Sequence, residues 1–238
     1  MPELPEAETL VRGLRPVLVG RVLAGVTVHH ADVLRVAPPV FAGRVAGRRV
    51  LAVERRAKNV LVRLDDGTLV VNLGMTGWLA PVGGANSDAA AAVTHPALTF
   101  ALDRTDDEHA PDRLVFDDIR RFGCVEALTP DEWALRSQQI GPEPLAASFT
   151  AAQLWQALKT SRSPVRNWLL DQRRIAGVGN IYASEACSRA RVRPDRPARE
   201  LTWREARDLH HGLVDVLQAA VDAGGTTIRN YRNVHGER

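Results

Sequence analysis

Residues 59–73 read NVLVRLDDGTLVVNL. Two short runs rich in Val and Leu flank the step Asp65-Asp66-Gly67. That arrangement predicts a β-hairpin, because glycine accepts the positive φ that a tight reversal needs. Similar runs lie on both sides: VLAGVTV (22–28), RVLAVE (49–54), ALTFAL (97–102), RLVFDD (113–118) and CVEAL (124–128). Seven short runs between about residues 21 and 128, parted by turn residues, predict an antiparallel sandwich or barrel. The stretches 83–92 and 104–111 read as loops.

Outside this region the period becomes helical. Near the N-terminus, Leu4, Ala7, Leu10, Val11 and Leu14 make one apolar stripe. Pro5 suits the first turn, and Glu3, Glu6 and Glu8 suit its positive end; Gly20 ends the stretch. After Thr129, GPEPLAAS (141–148) reads as a connector, Thr150 as a cap for AAQLWQALK, and Ser163-Pro164 as the opening of PVRNWLLDQR. IAGVGN is a glycine-punctuated turn before IYASEACSRA. Thr202 and Glu205 form a capping box for a last long helix with apolar positions Ala206, Leu209, Leu213, Leu217, Ala220 and Val221, stopped by Gly224-Gly225. The chain therefore reads as α+β: an N-terminal helix and β-sandwich domain (1–134), a hinge (135–148) and a helical domain (149–238).

Composition narrows the function. Of 238 residues, 45% are hydrophobic and 25% charged, as in soluble globular proteins. Two cysteines, Cys124 and Cys187, exclude a disulfide framework and a four-cysteine zinc site within this chain. No 18-residue apolar run is present, so no membrane span is expected. MPELPEAETL is acidic where a signal peptide is basic and apolar, and the protein reads as intracellular and cytoplasmic. Of 31 basic residues only Lys58 and Lys159 are lysines. Residues 1–134 carry a net charge of −3 and residues 135–238 a net +6. The basic half fits a polyanion partner or, equally, a solvated arginine-rich surface.

Four features carry potential chemistry, and each has an ordinary reading beside it. Removal of Met1 would leave Pro2 as a secondary α-amine, partly neutral near pH 7 and able to attack a sugar C1′ to form an iminium. Glu3 beside it could move protons; both residues are also common in first helical turns. Lys58, in RRAKNV, is a compact ammonium in a chain that otherwise uses arginine, or simply a surface lysine. In IAGVGNIYASE (175–185), Gly177 and Gly179 allow a turn, and the N–H groups at the helix start with the Asn180 amide would suit a phosphate. A plain connection with Asn180 as N-cap explains the same letters. Met75, in LGMTG, and Arg120 and Phe122, in DIRRFG, could wedge into a base stack and fill the gap of an extruded base, or fill a core.

PELPEAET, RRAKN, LGMTG, RRFG, GPEPL, GVGNIYASE and GGTT occur in this order over nearly the whole chain. The set resembles the formamidopyrimidine-DNA glycosylase family, which also holds endonuclease VIII, and PELPE with RRF resembles its oxidised-purine branch. The resemblance implies a β-sandwich joined to a helix-two-turn-helix domain, working as a monomer on double-stranded DNA that contains oxidised purines or abasic sites. It implies a base excision repair glycosylase and AP lyase that cuts by β,δ-elimination. Carried over, Pro2 is the nucleophile and Glu3 the acid/base, with Lys58 in the catalytic set. Lys58 and Asn180 grip phosphates flanking the lesion. Met75, Arg120 and Phe122 fill the gap, with Arg120 facing the orphaned base. Glu6, grouped with the DNA-binding set, holds the first turn, and Thr226 and Thr227 begin the loop over the flipped base.

Two departures shape the expectation. The family continues past an HGER-like stretch into a finger that holds one zinc through four cysteines, whereas this sequence ends at Arg238 with two cysteines. No metal or other cofactor is therefore expected here. The alternatives are a catalytically weak paralogue that binds damaged or abasic DNA and, more distantly, a general nucleic-acid-binding helical module. With Met1 attached, moreover, the Pro2 nitrogen is a tertiary amide and cannot attack.

Overall fold

A computed structural model describes residues 2–84 and 87–225. Helix α1 (Leu4–Leu18) leads into strand β1 (Val22–Val28), a 3-10 turn (Ala31–Val33), α2 (Pro38–Val45), β2 (Arg48–Arg56), β3 (Asn59–Leu64), β4 (Thr68–Asn72) and β5 (Trp78–Val82). Then come α3 (Ser87–Ala92), β6 (Pro96–Leu102), β7 (Arg113–Asp117), β8 (Cys124–Leu128) and α4 (Pro130–Gln138). The remaining helices are α5 (Ala151–Lys159), α6 (Val165–Leu170), α7 (Asn180–Arg189) and α8 (Trp203–Asp222), with a 3-10 turn (Ala198–Glu200) before α8.

The strand order is β5-β7-β6-β1-β2-β3-β4-β8, antiparallel throughout. The 59–73 hairpin forms with Asn59 opposite Asn72 and Arg63 opposite Thr68, and Gly67 takes φ +99° at the reversal. The join between β1 and β2 is short, Val22 to Arg49 and Leu23 to Arg48, so the sheet divides into two four-stranded halves. Both halves bury one core: Val53, Val62, Val71 from one and Leu79, Phe100, Phe116 from the other share an apolar cluster with Leu10, Leu14 and Leu18 of α1. The helices enclose a second core, built on Leu154, Trp168, Tyr182, Leu209, Leu213 and Leu217.

Helix α1 belongs to both cores. Leu10 to Leu18 lie in the sheet core, while Leu4 lies in the helical one. Its first turn is further tied to the helical part by the Leu4 N–H, which donates to Gly177 O at 3.0 Å. Pro2 and Glu3 are thereby set at the seam between the two packing units. Thr150 and Thr202 cap α5 and α8 as their sequence patterns predict.

Three elements depart from the sequence expectation. An eighth strand, β5, joins the seven expected and carries Pro81. It is an edge strand, where a missing N–H breaks no central ladder. Pro38 and Pro39 start α2, whose Phe41 and Val45 face the core one turn apart. The loop expected at 83–92 contains α3, whose last four residues are alanine, the strongest helix former.

Candidate active site at the seam of the two cores

Glu3 lies at the N-terminus of α7. Its Oε2 accepts from Gly179 N at 2.6 Å and Tyr182 N at 3.5 Å, and its Oε1 from Ile181 N at 3.0 Å. These are the orphan donors of a helix start, aligned with the positive end of the dipole. The expectation that they face a phosphate is thus corrected: a carboxylate of the chain itself occupies them. The N-cap is Gly179, not Asn180. Glu3 is 1% exposed, and burial pushes its carboxyl above the usual range; the N–H bonds and Lys58 pull it down without offsetting that. A carboxyl shifted in this direction keeps its proton to higher pH than a free glutamate does.

Glycine at 179 is a steric requirement. A Cβ there would lie 2.4 Å from Glu3 Cδ and 2.6 Å from Lys58 Nζ. The Glu3 carboxylate and the Lys58 ammonium therefore meet on one bare Cα. Burial pushes the Lys58 ammonium below its ordinary pKa, while the charges of Glu3 and Glu6 resist. Among the described residues no carboxylate forms an ion pair with Lys58. Its side chain lines a cavity of about 220 Å³ with Asn59, Asn72, Gln172 and Arg173.

Glu6 is wholly buried and offers no surface to DNA. It accepts from Glu3 N at 2.8 Å and from Tyr182 Oη at 2.8 Å, which fixes the first turn and hence Glu3. Pro2 is buried as well. Asn180 is exposed, and its Oδ1 accepts from Arg166 Nη2 at 2.9 Å, so the amide NH₂ is the group left to donate outward.

Met75, Arg120 and Phe122 stand on two adjoining loops. Met75 is 38% and Phe122 59% exposed, which removes both from the core reading. Arg120 Cζ stacks 4.6 Å over the Phe122 ring. Buried Asp118 ties the loops together: it accepts from Thr76 Oγ1, from Arg120 N at 3.3 Å and from Gly123 N at 2.8 Å. A ladder links this tip to the Lys58 hairpin, from Gly74 N to Asn72 Oδ1 and from Asn72 Nδ2 to Asn59 Oδ1, each 3.0 Å. Thr226 and Thr227 lie outside the described residues, as does Met1.

Sequence reasoning missed the supporting residues Tyr182, Arg166, Asp118 and Glu143. Two carried a visible signal: Asp118 opens DIRRFG, and Glu143 is the lone charge inside GPEPL.

The zinc implied by the resemblance does not fit the residues present. Cys124 and Cys187 lie in β8 and α7, both buried and unpaired with each other. Burial pushes the Cys187 thiol up to about 11 and raises Cys124, against the thiolate that a metal needs. Among the described residues no group of three His, Cys, Asp or Glu could hold a metal ion.

Comparison with known proteins follows the same division. Residues 1–125 match the family model of the formamidopyrimidine-DNA glycosylase N-terminal domain, and residues 140–232 that of the formamidopyrimidine-DNA glycosylase H2TH domain. The formamidopyrimidine-DNA glycosylase of Chloroflexus aggregans is 43% identical over 240 residues, covering 100% of this chain and 84% of its own. That of Thermomicrobium roseum is 40% identical, covering 99% and 84%. The crystal structure of the MutM (Fpg) protein of Thermus thermophilus superposes with a TM-score of 0.84 at 38% identity over 99% of this chain and 82% of that one. The Lactococcus lactis Fpg, in complex with DNA containing N7-benzyl-Fapy-dG, gives a TM-score of 0.86 at 27% identity, over 99% and 85%. Its complex with abasic-site DNA gives 0.83 at 27%, over 98% and 83%. No described helix is long and apolar enough to cross a membrane.

Proposed function

The chain belongs to the formamidopyrimidine-DNA glycosylase family, and from that membership we propose that this DNA glycosylase and AP lyase removes oxidised purines through a Schiff base on Pro2. After Met1 is removed, the Pro2 nitrogen attacks C1′ of the damaged nucleoside. The C1′–N bond breaks, and the base leaves with the electron pair and takes up a proton. Glu3 protonates the ring oxygen as the sugar opens, giving an iminium between Pro2 and C1′. Loss of a C2′ proton expels the 3′ phosphate, loss of a second sugar proton expels the 5′ phosphate, and water then releases Pro2. Lys58 and the Asn180 amide grip flanking phosphates. Met75, Arg120 and Phe122 occupy the gap in the duplex, and Thr226 and Thr227 cover the extruded base. The N-terminal sandwich, the hinge and the helical domain close on DNA as parts of one intracellular repair enzyme that needs no metal in this chain.

The observation that carries this reading is the meeting of Glu3 and Lys58 on Gly179, at the start of α7 and next to the chain's N-terminus. The opposite shifts support it, since burial raises the Glu3 carboxyl and lowers the adjacent Lys58 ammonium, as at sites that move protons. Borohydride trapping on a duplex with a single 8-oxoguanine tests it. Protein with verified Met1 removal forms a covalent adduct and Pro2→Gly forms far less. No adduct from the processed protein would sink the proposal.

A further inference from the structure

The hairpin that carries Lys58 is held from outside as well as by its own bonds. β2 and β3 pair up to Arg56 opposite Asn59, which leaves Ala57 and Lys58 as a two-residue reversal. Ala57 takes φ +55°, a conformation a non-glycine residue keeps only when its surroundings over-determine it. What surrounds it is Glu143, from the connector between α4 and α5. Its Oε1 accepts from Ala57 N at 2.7 Å and Arg56 Nη1 at 2.8 Å, and its Oε2 from Arg55 Nη1 at 2.6 Å. Arg55 Nη1 also donates to Ala57 O at 3.0 Å, closing a ring around the reversal. Burial pushes the Glu143 carboxyl up, but Arg55, the Ala57 N–H and Arg56 more than offset this and hold it below the usual range, so it is ionised.

The same few residues grip the other side of the site. Arg56 Nη2 donates to Ile140 O and Gly141 O, each at 2.8 Å. Gly141 N donates to Gln172 O at 2.8 Å, and Ala176 N to Pro142 O at 2.9 Å. Gln172 Oε1 in turn accepts from Gly177 N at 2.8 Å, and Gly177 O receives Leu4 N. The connector therefore fastens the turn that presents α7 to Glu3 and the reversal that presents Lys58, from behind both.

We propose that Glu143 is a positioning residue for Lys58: it locks the Ala57-Lys58 reversal to the interdomain connector, so that Nζ stays against Gly179 beside Glu3. The proposal rests on the reading of Lys58 as a phosphate grip. Glu143 touches neither DNA nor the reacting atoms; it acts through the backbone of Ala57. A substitution that frees the reversal lets Lys58 swing, and the phosphate loses its ammonium.

Binding to a duplex that carries a reduced, uncleavable abasic site tests this, as a double-mutant cycle over Lys58→Ala and Glu143→Gln at several salt concentrations. Glu143→Gln removes a negative charge, which by itself would strengthen binding to a polyanion. A weaker Kd therefore has to come from geometry. The expected result is a Kd raised about tenfold in Lys58→Ala and roughly fivefold in Glu143→Gln, with the double variant within about twofold of Lys58→Ala. The slope of log K against log salt should fall by about one in each of the three variants. A purely structural role would leave the slope intact and make the losses add, and that outcome overturns the proposal. So does a folded Glu143→Gln with unchanged Kd while Lys58→Ala is impaired, which leaves the glycosylase reading standing. An unimpaired Lys58→Ala removes the reading of Lys58 and the proposal with it. If thermal melting shows Glu143→Gln unfolded, Glu143→Asp runs the same cycle with the charge kept and its reach shortened.

Discussion

Gly179→Ala isolates the geometry on which the site depends. The backbone there has φ −128° and ψ −159°, extended values that alanine adopts without strain. The added methyl meets Glu3 Cδ at 2.4 Å, Glu3 Oε1 at 2.5 Å and Lys58 Nζ at 2.6 Å, all side-chain atoms and none of them backbone. The chain can therefore stay folded while the two functional groups are pushed aside. The contact most directly lost is the 2.6 Å bond from Gly179 N to Glu3 Oε2. A hydrogen bond to a charged group is worth about 1.5–3 kcal/mol, and each ~1.4 kcal/mol is tenfold in rate. kcat/KM for cleavage at an abasic site should thus fall roughly 10- to 100-fold. Alanine for glycine at an N-cap costs on the order of 1 kcal/mol of stability, a Tm loss of only about 2–4 °C at this length. The N–H bonds lower the Glu3 pKa, so weakening them moves whichever limb of the pH–rate profile Glu3 sets to higher pH. Single-turnover cleavage across pH, with a melting curve beside it, is the measurement. Activity within about twofold of the parent and an unmoved profile would refute the claim that Glu3 and Lys58 must share this Cα.

Two further outcomes follow from named contacts. With Lys and Arg on DNA phosphates, affinity should fall steeply as salt rises; a flat response in filter binding would argue against DNA as the partner. In the helical part, Arg196 and the Thr202 N–H hold Glu205 down to about 2. Its folded pKa lies below the unfolded value of ~4.3, so its stabilisation is present above that pH and fades as the pH falls toward 2. Urea midpoints of the parent and Glu205→Gln should differ at about pH 6 and converge toward about pH 3, and a gap that stays constant contradicts the assignment.

Much of the fold is legible because its signals are local. The Asp65-Asp66-Gly67 reversal, the Thr150 and Thr202 caps and the stripe of α1 each need only neighbouring letters. The misses have local causes too. β5, outside the seven expected runs, holds Pro81 at a sheet edge, where proline breaks no central ladder. The alanines of α3 follow two glycines and an Asn, which read as loop.

The site is different, since what decides it is not local. A sequence shows that α7 begins with open N–H groups, and a phosphate is the natural partner to name. It does not show that Glu3, 176 residues earlier, arrives there first. The consequence is chemical. An anion that is part of the chain takes the Gly179, Ile181 and Tyr182 N–H groups, and their bonds lower Glu3's proton affinity against the burial that raises it. The side chains proposed for DNA phosphate are Lys58 on its hairpin, with Nζ against Gly179, and the exposed Asn180 amide steadied by Arg166. Both are held from behind by polar residues that do not reach the cleft. Glu143, 86 residues from Ala57, fixes the first, and Arg166 turns the second. The Glu143 cluster with Arg55 and Arg56 is partly buried, and removing one member of such a cluster costs more than the intact cluster adds. The connector between the domains therefore does more than join them: residues 140–143 bond to both the Ala57-Lys58 reversal and the Gln172 turn, so the two elements beside Glu3 share one support.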